Sequence, residues 1–190
     1  MVSAVEEGTL AFHGAIEAAE PAARRPVGVV DVGGGSAQVV VGTRRDGPTW
    51  ARSIDIGSQR LTSRVFRSDP PGEHAMAAAR DEVERYLDGS DPPLPRVAYA
   101  VGGSARAVKR LAGSQLDDAA LAYVIELVTS TPSSELVERH GVDPERVRTI
   151  AAGAVILTAL QDRLQTPLKV VRAGVREGAL IELGARRAAA

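Results

Sequence analysis

The sequence contains no cysteine. Disulfides and thiolate chemistry are excluded, and the chain suits a reducing cytosol. Aromatic residues are 3% of the 190, too few for a stacking platform that would bind single-stranded nucleic acid. Charge of one sign is also missing: 23 basic residues meet 24 acidic ones, for a net charge of -1 and a pI near 6.3. No basic field draws the chain to nucleic acid or to an anionic membrane surface. No apolar run approaches the roughly 20 residues that cross a bilayer. The N-terminus shows no basic segment leading into an apolar one. The expectation is a cytoplasmic protein without nucleic-acid or membrane partners. Three histidines, His13, His74 and His140, lie too far apart for ligand spacing, so no zinc site is expected.

What is present suffices for a core. Hydrophobic residues are 44% and charged residues 25%, as in an ordinary globular domain or a compact lobe. Apolar spacing predicts a helix over Glu6 to Ala19, ended by Pro21 and Pro26. Valine-rich strands follow at 27–32 and 39–41, and a third at Trp50 to Ile56. Ser58 is read as the N-cap of a short helix to Phe66. Further helices are read at 73–87, from Ser104 to Leu111, at 117–129 behind paired aspartates, and from Ser133 or Ser134 to His140. Asp143-Pro144-Glu145 reads as the start of a long helix with an apolar middle at 150–160. Strands at 97–101 and 168–171 and a last helix at 174–187 complete an α/β domain with a mixed sheet. Trp50 is assigned to packing.

Two glycine turns carry the chemistry. The first, Val32-Gly33-Gly34-Gly35-Ser36, follows Asp31 and joins two strands. Successive glycines let backbone N–H groups converge on one spot, a nest for phosphate oxygens. Asp31 would hold a divalent metal through water or orient a nucleophile, and Ser36 adds a hydroxyl. The alternative is a plain hairpin in which glycine only supplies positive φ. The dinucleotide fingerprint is excluded, because a strand rather than a helix follows. The second turn, Gly102-Gly103-Ser104, lies between a strand and a helix. Two such turns on one sheet suit a ligand with several phosphates. Arg106, Lys109 and Arg110 follow, as a solvated basic face or as contacts to an anionic chain.

Segments along nearly the whole chain resemble the second lobe of the Ppx/GppA phosphatases, exopolyphosphatases and guanosine pentaphosphate phosphohydrolases. They are "EEGTLAFHGAI" at 6–16, "VVDVGGGSAQVVVG" at 29–42, "SIDIGSQRLT" at 53–62, "AVGGSARAVKRL" at 100–111, "AAGAVILTAL" at 151–160 and "GVREGALIEL" at 174–183. The resemblance implies a ribonuclease H-like, actin-like ATPase lobe over residues 1–190, whose first three strands are antiparallel and whose sheet is flanked by helices. It implies Mg²⁺ and water attack on a terminal phosphoryl group of polyphosphate or guanosine pentaphosphate. Glu7 matches the family's catalytic glutamate, Asp31 and Gly33 to Ser36 the metal- and phosphate-binding turn, and Gly102, Gly103 and Ser104 the second phosphate turn.

Three departures accompany the match. No Asp-Gly-Ser/Thr turn precedes Glu6, which leads to the expectation of a fragment, a truncated paralogue or a lobe completed by a partner or a second copy. Ala37 and Gln38 stand where the family usually has a hydroxyl and an acid; glutamine positions groups but is no base. Val171-Arg172 replaces a Ser-acid pair. The expectation is therefore a phosphoanhydride hydrolase, with a non-catalytic phosphate-binding or regulatory lobe as the alternative. A nucleotide-dependent kinase is a third idea, on the shared turn alone. Arg176 and Glu177 are expected in ion pairs that fix the last helix.

Overall fold

A computed structural model describes residues 3–188. The first helix, α1 (Ala4–Ala19), starts two residues before the apolar periodicity does. Ser3 caps it: its hydroxyl accepts from the Glu6 N–H while the Glu6 carboxylate accepts from the Ser3 N–H. This reciprocal pair satisfies donors that a helix start otherwise leaves open.

Three strands follow, β1 (Val27–Val32), β2 (Ala37–Thr43) and β3 (Gly47–Ile54), joined as antiparallel hairpins. β4 (Val97–Val101) lies parallel to β1, and β6 (Leu168–Val170) parallel to β4. A short strand that the sequence pattern does not announce, β5 (Gln115–Leu116), closes the edge against β6. The sheet order is β3-β2-β1-β4-β6-β5. The helices are α2 (Ser58–Val65), α3 (Glu73–Leu87), α4 (Gly102–Ala112), α5 (Asp118–Ser130), α6 (Ser133–His140), α7 (Ile150–Leu164) and α8 (Val175–Ala188).

Strand alternation sorts the core into two layers. Val30, Val32, Val39, Val41, Ala98 and Ala100 face the larger layer, which α3, α5 and α7 fill; Trp50 packs at its margin. Val27, Val29, Val40, Tyr99 and Val101 face Ala11, Phe12, Ala15 and Ile16 of α1. Asp31 and Gln38 continue that second face at the end of β1 and the start of β2. They are register partners across the hairpin.

Two expectations are corrected. The long helix does not start at Asp143. The Asp143 carboxylate accepts from the Glu145 N–H and its carbonyl from the Arg146 and Val147 N–H groups, closing a turn. A 3-10 turn at Val147–Thr149 follows, and α7 begins only at Ile150, with the apolar run. Twelve of its fifteen residues are buried, as its apolar middle requires. Ser58 is not an N-cap; like Ser104 and Ser133, it lies inside its helix. Their hydroxyls are engaged in tertiary contacts instead: Ser58 donates to the Gly33 carbonyl, Ser104 to Ser58, and Ser133 to Asp69. Among the described residues no helix is long and apolar enough to cross a membrane.

Candidate functional site

The first glycine turn is a four-residue loop between β1 and β2, closed by the Gly33 N–H donating to the Ser36 carbonyl at 2.9 Å. None of Gly33, Gly34 and Gly35 has a positive φ. Handedness is not what the turn asks of them, and at Gly34 the need is space. A Cβ at Gly34 would lie 2.6 Å from Gln59 Oε1, and one at Gly57 would lie 2.5 Å from the Gly34 carbonyl carbon. The start of α2 is thus pressed onto the turn. The Ser58 N–H donates to the Gly33 carbonyl and the Arg60 N–H to the Gly34 carbonyl, at 2.9 and 3.0 Å. With its carbonyls held this way, the turn keeps the N–H groups of Gly34, Gly35 and Ser36 without an acceptor among the described residues.

The second turn is the first turn of α4. No side chain caps this helix. Its first N–H groups stay open, at the end where the helix dipole favours an anion. Buried Ser104 donates to buried Ser58 at 3.1 Å, which ties the two turns together. Gly153 of α7 lets Ser104 approach, since a Cβ there would sit 3.1 Å from Ser104 Cβ. Between the turns lies an open cleft of about 370 Å³, lined by Gly33, Gly34, Gly103, Ser104, Ser58 and Arg146 among others.

Arg146 is the residue sequence reading missed. Its guanidinium lies directly over Gly103, where a Cβ would overlap it, and it pairs loosely with Asp143 at 3.7 Å. The turn at 143–149 puts it there; a helix begun at Asp143 would not have. Nothing in the 42 intervening residues marks the pairing.

Asp31 lies next to the start of the second turn, against Gly102. Gly102, with φ +85°, lets α4 begin against it, because a Cβ at that position would overlap Asp31 Oδ1. Burial and then the neighbouring Glu7 carboxylate push the Asp31 pKa up to about 6, against a smaller opposing pull from Arg106. Gln38, only 3% exposed, stands beside it. Its amide nitrogen donates to Ser36 Oγ at 2.9 Å and reaches Glu7 Oε2 at 3.4 Å and Ser53 Oγ at 3.5 Å. Gly8 permits this, since a Cβ there would be 3.1 Å from Gln38 Cβ. Glu7, Asp31, Gln38 and both glycine turns therefore meet at one edge of the sheet, the carboxyl ends of the parallel strands β1 and β4.

Residues 1–186 match the model of the Ppx/GppA phosphatase family. The chain belongs to that family. Exopolyphosphatase 2 of Mycobacterium tuberculosis is 28% identical over 181 residues, 87% of this chain and 56% of its own length. Exopolyphosphatase 1 of Mycobacterium leprae is 28% identical over 146 residues, covering 68% of this chain and 43% of its own. The chain spans about half the length of these curated relatives. Among solved structures, the Ppx-GppA enzyme of Aquifex aeolicus superposes with a TM-score of 0.83 at 26% identity, over 94% of this chain and 63% of that one. An exopolyphosphatase from Cytophaga hutchinsonii matches at 0.81 over 93% and 62%, a likeness of fold at 17% identity. The chain has the actin-like ATPase fold, with its mixed six-stranded sheet between helices.

Gly178, the glycine of the Arg176-Glu177-Gly178 motif, has a packing role. A Cβ there would overlap the Leu10 carbonyl, and one at Gly14 would overlap the Gly174 carbonyl. α1 and α8 cross through these two glycines. Arg176 and Glu177 are exposed and make no ion pair among the described residues, which corrects the expected pairing.

Proposed function

We propose that this lobe binds a phosphate chain end in the cleft between its two glycine turns and takes part in hydrolysis of the terminal phosphoryl group of polyphosphate or guanosine pentaphosphate. The observation that carries the reading is the joining of two sets of open N–H groups by the Ser58–Ser104 hydrogen bond, beside two neighbouring carboxylates. Fixed donors of this kind favour the charge that spreads over a transferring phosphoryl group. Arg146 adds a cation that needs no proton bookkeeping.

In this reading Glu7 orients a water and accepts its proton as the water oxygen attacks the terminal phosphorus. The bond to the bridging oxygen breaks, and the shortened chain leaves with that oxygen's charge. Gln38 holds Glu7 and Ser36 in place through its amide. The donor set also fits Mg²⁺. Asp31 and Glu7 are hard oxygen donors whose mutual repulsion a cation would relieve. Among the described residues no three acidic or imidazole groups converge on one point, so water and phosphate oxygens would complete the shell, as is usual for this ion. When bound, Mg²⁺ would neutralise phosphoryl charge.

The second reading is a phosphate-binding lobe without turnover of its own. Gln38 favours it, because a neutral amide stands where the family usually has an acid. One experiment separates the two: phosphate release from polyphosphate and guanosine pentaphosphate with Mg²⁺, beside calorimetric binding. Release lost in Glu7→Gln with binding retained supports the hydrolase. Binding without release supports the second reading, and neither binding nor release overturns both.

A further inference from the structure

The stripe of α4 that starts at the cleft does not end there. Gly102, Gly103, Arg106, Lys109 and Arg110 fall on one face at helical spacing. From Gly103 to Arg110 this face runs about 10 Å along the axis. It leads into a second hollow, of about 310 Å³, whose floor is Val170 and Val171 and whose walls are Arg106, Lys109, Arg110 and Arg172. Two chain segments distant in sequence supply these four cations. All four are exposed, and none has a carboxylate within 4 Å among the described residues. Arg110 is steadied by donating from Nε to the His140 carbonyl at 2.9 Å.

Some arginines of this chain meet a carboxylate, as Arg64 does with Glu82 and Arg139 with Glu135, and others, such as Arg24 and Arg96, do not; what sets this patch apart is that four unpaired cations line one hollow. Four cations left together without a carboxylate repel each other, a cost that an anion removes. Arg172 deepens the imbalance, because it stands where the family resemblance leads one to expect an acid. Arg106 links the hollow to the site, since its charge acts on Asp31.

We infer that this hollow is a second anion subsite, which holds phosphates beyond the terminal group seated in the cleft. The inference rests on the proposed reading of the cleft. Its ligand class is an extended phosphate polyanion: the internal residues of a polyphosphate chain, or the second phosphate cluster of a guanosine pentaphosphate. A ligand of three phosphates would fill the cleft and leave the hollow free.

The test measures calorimetric affinities of the full chain for inorganic tripolyphosphate, long-chain polyphosphate and guanosine pentaphosphate, in the wild type, in Lys109→Ser/Arg172→Ser and in Arg172→Lys. Both changed positions are exposed, so folding is unaffected, and a thermal melt verifies it. The double variant is expected to lose about tenfold or more in affinity for long-chain polyphosphate, as for the loss of charge-assisted hydrogen bonds. The slope of log affinity against log salt should fall by about one to two. Tripolyphosphate binding should stay within about twofold, because its contacts in the cleft are intact. Arg172→Lys should keep most of the long-chain affinity. Loss for polyphosphate alone identifies the chain as occupant, and loss for guanosine pentaphosphate alone identifies the nucleotide's second phosphate cluster. Unchanged affinities for both long ligands, or an equal loss for tripolyphosphate, overturn the subsite while the cleft reading stands. A wild type that binds none of the three overturns the cleft reading itself.

Discussion

Asp31 shows how much a single carboxylate's surroundings decide. It is the last residue but one of an apolar strand, with α4 starting against it and Glu7 close by, and its pKa rises from 3.8 to about 6. The folded state therefore holds its proton more tightly than the unfolded state. Stability from this group is fully present below pH 3.8 and is lost as pH rises through about 6. At pH 8 the ionised side chain costs the metal-free protein about 1–3 kcal/mol, the upper figure following from the shift and the lower from its partial exposure. Asp31→Asn is expected to raise the chemical-denaturation stability at pH 8 without Mg²⁺ and to leave it nearly unchanged at pH 3.5. A variant that is no more stable at pH 8 would show that Asp31 carries no such strain. Its neighbour Gln38 was legible in the sequence as a departure from a motif. Its contacts with Glu7 and Ser53 were not, because those residues come from other elements.

Among the elements, α4 carries the most consequence. Its start needs Gly102 for two separable reasons: a φ of +85° and a missing Cβ beside Asp31 Oδ1. The left-handed backbone alone costs a side chain about 1–2 kcal/mol. The overlap with Asp31 adds a steric cost of about 1–3 kcal/mol. Gly102→Ala is expected to destabilise by the sum, about 2–5 kcal/mol, in urea titration. In an Asp31→Ala background the steric part should vanish, leaving about 1–2 kcal/mol. Fully additive losses in that cycle would rule out the Asp31 contact as the cause. The strands β1 and β4 and the helix α3 were legible to the residue, since period-2 and period-3.6 patterns run clean between glycine and proline punctuation. Helix starts were less legible. Ser58, Ser104 and Ser133 have cap chemistry, but tertiary acceptors took their hydroxyls, and local rules cannot foresee a partner 25 to 64 residues away.

At the scale of the whole molecule, α1 and α8 bring the two ends of the chain together over the second core layer. The crossing is backbone on backbone at Gly178 and Gly14. Gly178→Ala is expected to destabilise by about 3 kcal/mol, since neither partner is a flexible side chain that can give way. Because α1 carries Glu7, the same change should speed amide exchange in α1 and weaken the Glu7–Gln38 contact, whereas α3 and α7 keep their protection. Uniform loss of protection across all helices would mean that α1 and α8 do not form a separable layer.

Composition, strand alternation and the two glycine turns determined the α/β class, the antiparallel start of the sheet and the segments where phosphate chemistry would be sought. These are local properties, set by side-chain period and by what glycine and proline do to the backbone. Tertiary structure decided the rest. It used Gly34 for close approach instead of positive φ, turned 143–149 away from helix so that Arg146 covers Gly103, and gathered Arg172 with the cations of α4. Each of these depends on which distant atoms fill the space beside a residue, and that is a property of packing, not of spacing along the chain.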